Sequence, residues 1–228
     1  MRPGERPEIA GLHLFRDMND AERERIFLNS FLQVFPPHLT LFEAGQNADF
    51  LHVLVDGMVE LFSHNSARES TMRVVEPVTS FILAAVVADM PYLMTARTIA
   101  PSRVLLIPAA LVREAIDRDT ALMHAAMREM ALGYRGLVRA LADMKLRQST
   151  ERLGNHLLRE DRENGSGGKV QLRLEKRLLA SLLGMTPENL SRAFGALQMH
   201  GVAVDGSVVR ITDREALESF ARPDVIGD

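Results

Sequence analysis

The chain of 228 residues contains no cysteine. That excludes disulfides, thiolate metal sites, cysteine-ligated iron–sulfur clusters and cysteine nucleophiles. No apolar run approaches the roughly 20 residues that span a bilayer. The stretch before Ile9, with two prolines and mixed charge, lacks the apolar core of a secretory leader. A cytoplasmic protein without a membrane partner is the expectation. No His-x-His pair, Walker loop, Ser-His-Asp grouping or paired-carboxylate motif occurs. The chain is therefore read as a non-enzyme, with a cupin-like jelly-roll enzyme as the remoter alternative. Internal repeats and low-complexity tracts are absent too. With 46% apolar and 25% charged residues, the composition is that of a globular protein able to bury a sizeable core.

Excess positive charge is also missing: 27 Lys and Arg face 30 Asp and Glu, a net charge of −3. The balance is uneven along the chain. Residues 145–214 hold 12 Lys and Arg against 8 Asp and Glu, a net +4 that leaves −7 on the remainder. The same bias would suit a solvated surface, but it places a basic field around the most informative segment, Leu178 to Phe194. There an apolar helix gives way to a three-residue turn opened by Gly184, and a second helix starts at Thr186-Pro187. Thr186 suits the N-cap and Pro187 the first helical position. Glu188, Ser191 and Arg192 fall at i, i+3 and i+4 and so share one face near the helix start. A helix-turn-helix presents that end to base edges in the major groove. A carboxylate accepts from cytosine N4, a guanidinium forks onto guanine, and serine serves either role. Thr186, Glu188, Asn189, Ser191 and Arg192 are the candidate DNA-binding residues. An ordinary αα-hairpin with a solvated polar face is the competing account.

Upstream, Asp17 to Leu32 reads as a short amphipathic helix capped by Asn19 or Asp20, with Ile26, Phe27, Leu28 and Phe31 as its apolar surface. From Val34 to Ile107 the pattern changes to short Val-, Leu-, Phe- and Ile-rich runs: Phe50–Val55, Met58–Phe62, Met72–Val75, Phe81–Val87 and Val104–Ile107. Asp56-Gly57 between two of them is a strong hairpin signal. An antiparallel β-roll or jelly roll is the expectation. After Pro108, Met123, Met127, Met130, Tyr134, Leu137, Leu141 and Met144 follow each other at spacings of four and three. This a/d register covers about 32 Å of helix at 1.5 Å per residue. A strict 3.5 repeat favours a seam with the same helix of a second subunit; intramolecular packing is the alternative. Gly133 and Gly136 each weaken the helix by about 1 kcal/mol relative to alanine, and either permit close approach or mark where it yields. Lys145–Ser149 is a polar joint, Thr150–Arg159 a further helix, and Glu163 to Gly168 a loop flexible by composition. Val170–Leu174 reads as a strand. Val202–Val204 and Val208–Ile211 around Asp205-Gly206-Ser207 form a small wing hairpin. The fold class is α+β in three parts: a sensory β-roll (1–108), a long dimerisation helix (109–146) and a winged helix-turn-helix (147–228).

In that order of parts the chain resembles the CRP/FNR superfamily of bacterial transcription regulators along nearly its whole length. Phe42-Glu43-Ala44-Gly45-Gln46 and Phe50 to Val59 look like the superfamily's glycine-marked β-roll signature. Glu188, Ser191 and Arg192 look like the FNR-type E-x-x-S-R motif. The resemblance implies a homodimer on double-stranded DNA with a TTGA-like inverted repeat, working with RNA polymerase.

The signal is a separate question. Members that bind cyclic nucleotides hold the ribose with a Gly-Glu pair and the phosphate with an Arg-Ser pair. Here the glutamate falls on alanine, at Ala84-Ala85, and the Arg-Ser on about Tyr92-Leu93, so cyclic AMP is not expected. Arg97 could approach an anion, but on a strand edge it reads as solvated. The cysteines that ligate the FNR cluster are absent. Leu12-His13-Leu14-Phe15, Met90 to Arg97 with Ile99-Ala100-Pro101-Ser102, and Asp213 to Glu218 are similar to the DNR/NnrR branch. That branch governs denitrification and nitric-oxide responses and is associated with haem. The resemblance thus implies nitric oxide or a redox signal taken up through haem, with His13 or His124 as the axial ligand. For each histidine alone, a surface role is the bland alternative, and methionines at heptad spacing read as core. A regulator of the same fold with another small effector, or none, is the alternative.

Overall fold

The computed structural model describes residues 9–66 and 68–223; residues 1–8, on which the leader reading rests, lie outside them. The chain divides into two compact units, Met1–Arg135 and Gly136–Asp228.

The first unit opens with α1 (Asp20–Leu28), whose cap is Asn19: its side chain accepts the Ala21 N–H at 2.8 Å. The helix stops at Leu28 and does not run on to Leu32. Phe31 instead begins β1 (Phe31–Phe35), which pairs along its full length with β8 (Ser102–Pro108). Long-range pairing overrides the local helical pattern there. Ile26 and Phe27 are buried, while Leu28 and Phe31 remain exposed.

The remaining strands of this unit are β2 (Thr40–Phe42), β3 (Phe50–Asp56), β4 (Val59–His64), β5 (Glu69–Val75), β6 (Thr79–Phe81) and β7 (Thr95–Thr98). They form two antiparallel four-stranded sheets, ordered β1-β8-β3-β6 and β2-β7-β4-β5. This is the expected roll. Leu51 to Val55 are buried without interruption, because β3 is covered on both faces. The turn between β3 and β4 depends on Gly57, at φ +94°. A Cβ there would lie 2.3 Å from the Pro101 carbonyl oxygen.

One run changes type. Phe81 to Val87 is not a strand: β6 ends at Phe81, and α2 (Leu83–Ala88) follows a left-handed residue, Ile82, at φ +67°. A short apolar run has no periodicity that separates a buried strand from a buried helical turn. Only Leu83 and Val86 of α2 are buried, at the i, i+3 spacing of a helix.

Next come α3 (Ala109–Arg118) and α4 (Thr120–Leu146). The buried Asp119 joins them to the N-terminal segment: its carboxylate takes the Leu122 N–H at 2.9 Å, capping α4, and the Asn19 N–H at 2.7 Å. Leu122 and Ala126 belong to the roll's core, and Met130 packs against it.

The second unit contains α5 (Ser149–Glu163), β9 (Lys169–Gln171), α6 (Lys176–Leu182), α7 (Pro187–Leu197), β10 (Val202–Asp205), β11 (Val208–Ile211) and α8 (Arg214–Ala221). Its core gathers Leu153, Leu157 and Leu158 of α5, Leu179 of α6, Leu190, Phe194 and Leu197 of α7, and Leu217 of α8. Strands β10, β11 and β9 form the wing sheet in that order. The glycine-rich loop before β9 is tied at both ends. The Asp161 carboxylate, buried and paired with Arg214, accepts the Gly168 N–H at 2.7 Å, and the Asp161 carbonyl accepts the Ser166 N–H at 2.7 Å.

Candidate nucleic-acid interface and signal-binding fold

The turn before α7 is built tightly. Gly184 adopts φ +63°, and the side chain of Met144 on α4 lies where its Cβ would be, 2.4 Å away. The Gly184 and Met185 N–H groups bond back to Ser181 and Ala180 at 3.0 and 2.9 Å, closing the end of α6. Arg152 Nε donates to the Leu183 carbonyl at 3.0 Å and Arg152 Nη1 to the Arg147 carbonyl at 2.7 Å. One guanidinium thereby satisfies carbonyls at the C-terminal ends of both α4 and α6.

Helix α7 starts as its residues dictate. The Thr186 hydroxyl accepts the Asn189 N–H at 3.3 Å, and Pro187 occupies the first turn. Leu190, Ala193, Phe194 and Leu197 are buried at i, i+3, i+4 and i+7. Thr186, Glu188, Asn189, Ser191 and Arg192 are all exposed. The Glu188 carboxyl is held below the usual carboxylate range by its own backbone N–H at the helix start, then by the Thr186 hydroxyl and the nearby Arg192 cation. The helix start thus presents a charged acceptor beside a forked donor, the pair that edge-on reading of bases requires.

Two features of this surface escape inspection of the chain. Gly195, Ala196 and Met199 extend the exposed face beyond Arg192. On the wing, Lys169 and Arg210 are register partners and both exposed. Like charges placed opposite each other on a sheet oppose folding, and suit phosphates. No local spacing signals that pair, because its members lie on separate strands.

In the roll, the position expected for a phosphate-binding arginine holds Tyr92, which is buried. Its ring stacks on Phe42 at 3.9 Å between centroids, and its hydroxyl donates to the Phe50 carbonyl at 3.0 Å. His52, missed by inspection of the sequence, joins the group: its Nδ1 donates to the same carbonyl at 3.1 Å, with Phe42 and Phe81 at 4.8 and 5.4 Å. Burial lowers its pKa to about 4 despite that hydrogen bond. Leu93 and Ala84 are exposed.

Arg97 is neither on an edge strand nor simply solvated. β7 lies between β2 and β4, and Arg97 bonds Glu60 at 2.6 Å and Glu69 at 2.7 Å while lying over the Phe62 ring. Glu60, 2% exposed, also accepts from Thr71 at 2.6 Å. The guanidinium is committed to carboxylates that lie too far along the sequence to be paired by inspection.

Of the expected seam residues, Met127, Tyr134, Leu137, Leu141 and Met144 are exposed, and Met123 and Met130 are half-buried. His13 and His124 are both exposed. His13 stands close enough to act on the carboxyl of Glu129 of α4, which burial raises and which takes a hydrogen bond from Ser80. Among the described residues no three His, Cys, Asp or Glu side chains gather to hold a metal ion. No described helix is long and apolar enough to cross a membrane.

Residues 151–220 match the family model of the Crp-like helix-turn-helix domain, and residues 32–119 that of the cyclic nucleotide-binding domain. The chain thus carries a cyclic nucleotide-binding domain followed by a Crp-like helix-turn-helix domain, the order of parts found in CRP/FNR-type regulators. The matched helix-turn-helix domain is one of transcription regulators and not of enzymes, so the cupin alternative is set aside. Among characterised relatives, a CRP-like cAMP-activated global transcriptional regulator of Mycobacterium tuberculosis is 24% identical over 194 residues, 82% of this chain and 87% of the relative. Among solved structures, FixK2 from Bradyrhizobium japonicum superposes with a TM-score of 0.74 at 19% identity, covering 83% of this chain and 96% of its own. DNR from Pseudomonas aeruginosa does so with a TM-score of 0.52 at 22% identity, covering 96% and 99%. At these identities both structures establish the fold.

Proposed function

We propose that the chain is a transcription regulator of the CRP/FNR family, that it acts as a homodimer reading a TTGA-like inverted repeat with paired α7 helices, and that its roll answers a signal other than cyclic AMP. The observation that carries the DNA reading is the capped, exposed start of α7, with Glu188 and Arg192 one turn apart. The dimer is supported by the second half of α4, where Leu132, Tyr134, Leu137, Val138 and Leu141 stand 48–70% exposed along one helix. Apolar surface of that extent on a helix marks a contact with another chain. Two half-sites are then read together when the two α7 helices lie about one DNA turn, roughly 34 Å, apart. The dimer works in the cytoplasm with RNA polymerase.

Against cyclic AMP stands the buried Tyr92 stack at the phosphate position, together with Arg97 already paired to two carboxylates. A phosphate there would have to displace Glu60 and Glu69 from Arg97. For the signal, the reading is the DNR/NnrR branch: nitric oxide or a redox change, taken up through haem. His13 is the first candidate ligand and His124 the second. Haem held there would supply an iron able to take a diatomic signal. His13 supplies the imidazole, and its neighbour Glu129 ties that point of the roll to α4 through Ser80.

The deciding experiment is a salt-dependent gel shift on a TTGA inverted repeat and on a random duplex. Arg192→Ala is expected to lose about 1–3 kcal/mol on the repeat alone, since a bidentate base contact vanishes while phosphate contacts remain. Equal loss on both duplexes would reduce Arg192 to a backbone contact. An absorbance spectrum with added haem tests the signal. A Soret band that shifts in His13→Ala supports the assignment, an unchanged band moves the ligand to His124, and no uptake ends the haem reading. Millimolar cyclic AMP should leave the melting temperature unmoved. A ligand at a hundred times its Kd would add about 2.7 kcal/mol.

A further inference from the structure

Gly195 lies in the last turn of α7, two residues before its end, where glycine lowers helix stability relative to alanine. Folding gives no reason for it. Its backbone is not in the left-handed region, and a Cβ built on it meets nothing within 4 Å among the described residues. Other glycines of this unit have such a reason. Gly184 and Gly201 take positive φ and would collide with neighbours, and a Cβ on Gly154 of α5 would lie 3.0 Å from that of Ala221. Gly133 and Gly136 of α4 share the open surroundings of Gly195, and both lie on the stretch proposed above as a subunit contact. An exposed helical glycine with free space around it marks a face that another molecule approaches.

Gly195 follows Glu188 by seven residues and Arg192 by three, so the three share one exposed face. Resting on the reading of α7 as the groove-reading helix, we propose that Gly195 is a close-approach position: its missing side chain lets α7 enter the major groove deeply enough for Glu188 and Arg192 to reach base edges. A methyl group there would hold the helix away from the bases. Phosphate contacts, made from the flanks of the helix and the wing, do not need that depth.

The test uses the full chain as wild type, Gly195→Ala and Gly195→Leu. Each is followed by thermal melting and by titration of two duplexes: the one wild type selects from a random-sequence library, and an unselected one. Gly195→Ala is expected to melt about 2–4 °C higher, because alanine is the better helix former, yet to bind the selected duplex roughly tenfold more weakly. Gly195→Leu should keep its fold and lose selective binding altogether. Affinity for the unselected duplex should change by less than about threefold in both variants. The proposal is overturned if Gly195→Ala binds the selected duplex as tightly as wild type. It is overturned equally if both duplexes lose affinity to the same extent, which sets Gly195 against the phosphate wall, or if the melting temperature falls, which gives the glycine a folding role. Wild type that selects no sequence, with Arg192→Ala indistinguishable from it, overturns the α7 reading and this proposal with it.

Discussion

In the winged unit, the polar side chains proposed to meet DNA all lie within the seven residues from Thr186 to Arg192 and all face outward. In the roll, the groups that shape the interior run from Phe42 to Arg97 and turn inward: Tyr92, His52 and Glu60 are 5% exposed or less. A surface that reads an external polymer can be written into one helix turn. A fold that admits or refuses a small molecule must be assembled from strands distant in sequence. The same contrast runs along α4. Leu122 and Ala126 in its first half are buried in the roll's core, whereas Leu137 and Leu141 in its second half are exposed. One helix thus carries an intramolecular face and then an uncovered one.

The largest effect expected comes from attacking the uncovered half of α4. Leu137→Asp places two unpaired carboxylates in the proposed seam, where burial costs several kcal/mol. Sedimentation should give a monomer mass, circular dichroism should report an unchanged fold, and binding to the inverted repeat should vanish. Leu122→Asp, on the same helix, should instead unfold the roll. A Leu137→Asp protein that stays a dimer would place the interface elsewhere and erase the contrast between the two halves.

Arg97→Met strikes the inward-facing side. It removes the cation from Glu60, a carboxylate 2% exposed that keeps its Thr71 bond. Breaking a buried pair by deleting one partner costs about 3 kcal/mol. Calorimetry should show the roll's transition moving down while that of the winged unit stays in place. Arg97→Met together with Glu60→Gln should recover most of the loss. If the single variant melts like wild type, Arg97 is not committed to Glu60, and the case against an anion in the roll weakens.

Legibility followed the same division. The winged unit could be read residue by residue, because its determinants are local: the Thr186 cap, Pro187, the glycine at the turn, and the apolar positions at helical spacing. Strands β3 and β4 were marked by the Asp56-Gly57 turn. The run from Phe81 to Val87 was misassigned because a single buried helical turn and a buried strand are alike in composition. Phe31 was drawn into β1 by pairing with Leu106, over 70 residues away. The partners of Arg97, the Tyr92–Phe42 stack and the rings around His52 gave no signal, since each is brought together by strands distant in sequence, even though His52 also bonds Phe50 two residues away.

Each unit also buries one histidine on equal terms, His52 in the roll and His156 on α5. Burial lowers both to about 4, aided at His156 by the charge of Arg159. Below pH 6.5 the unfolded chain binds a proton at each site that the folded chain refuses, so stability falls with pH until the folded histidines also titrate near pH 4. By pH 5 the loss should reach about 2 kcal/mol per histidine. Glu129 in the roll, raised by burial above the ordinary carboxylate range, acts in the opposite sense as the pH falls toward that range, so the winged unit gives the cleaner slope. Melts from about pH 6.5 to 5 should show both transitions falling, and His52→Phe should flatten the roll's transition alone. If the winged unit flattens with it, the two units do not titrate independently.

The smallest effect tests the most local feature of all. The Thr186 hydroxyl satisfies one backbone N–H at the start of α7, and it also bonds the Glu188 carboxyl. Thr186→Ala should lower the stability of the winged unit by about 1 kcal/mol, the usual value of such a cap, while Thr186→Ser should restore it. The roll's transition should not respond, since its determinants lie in the other unit. Specific DNA binding should weaken more than this stability loss explains, because Glu188 loses the group that orients its carboxyl beside Arg192. Binding that follows stability alone would show that Thr186 merely caps the helix and that Glu188 is oriented by its own backbone N–H.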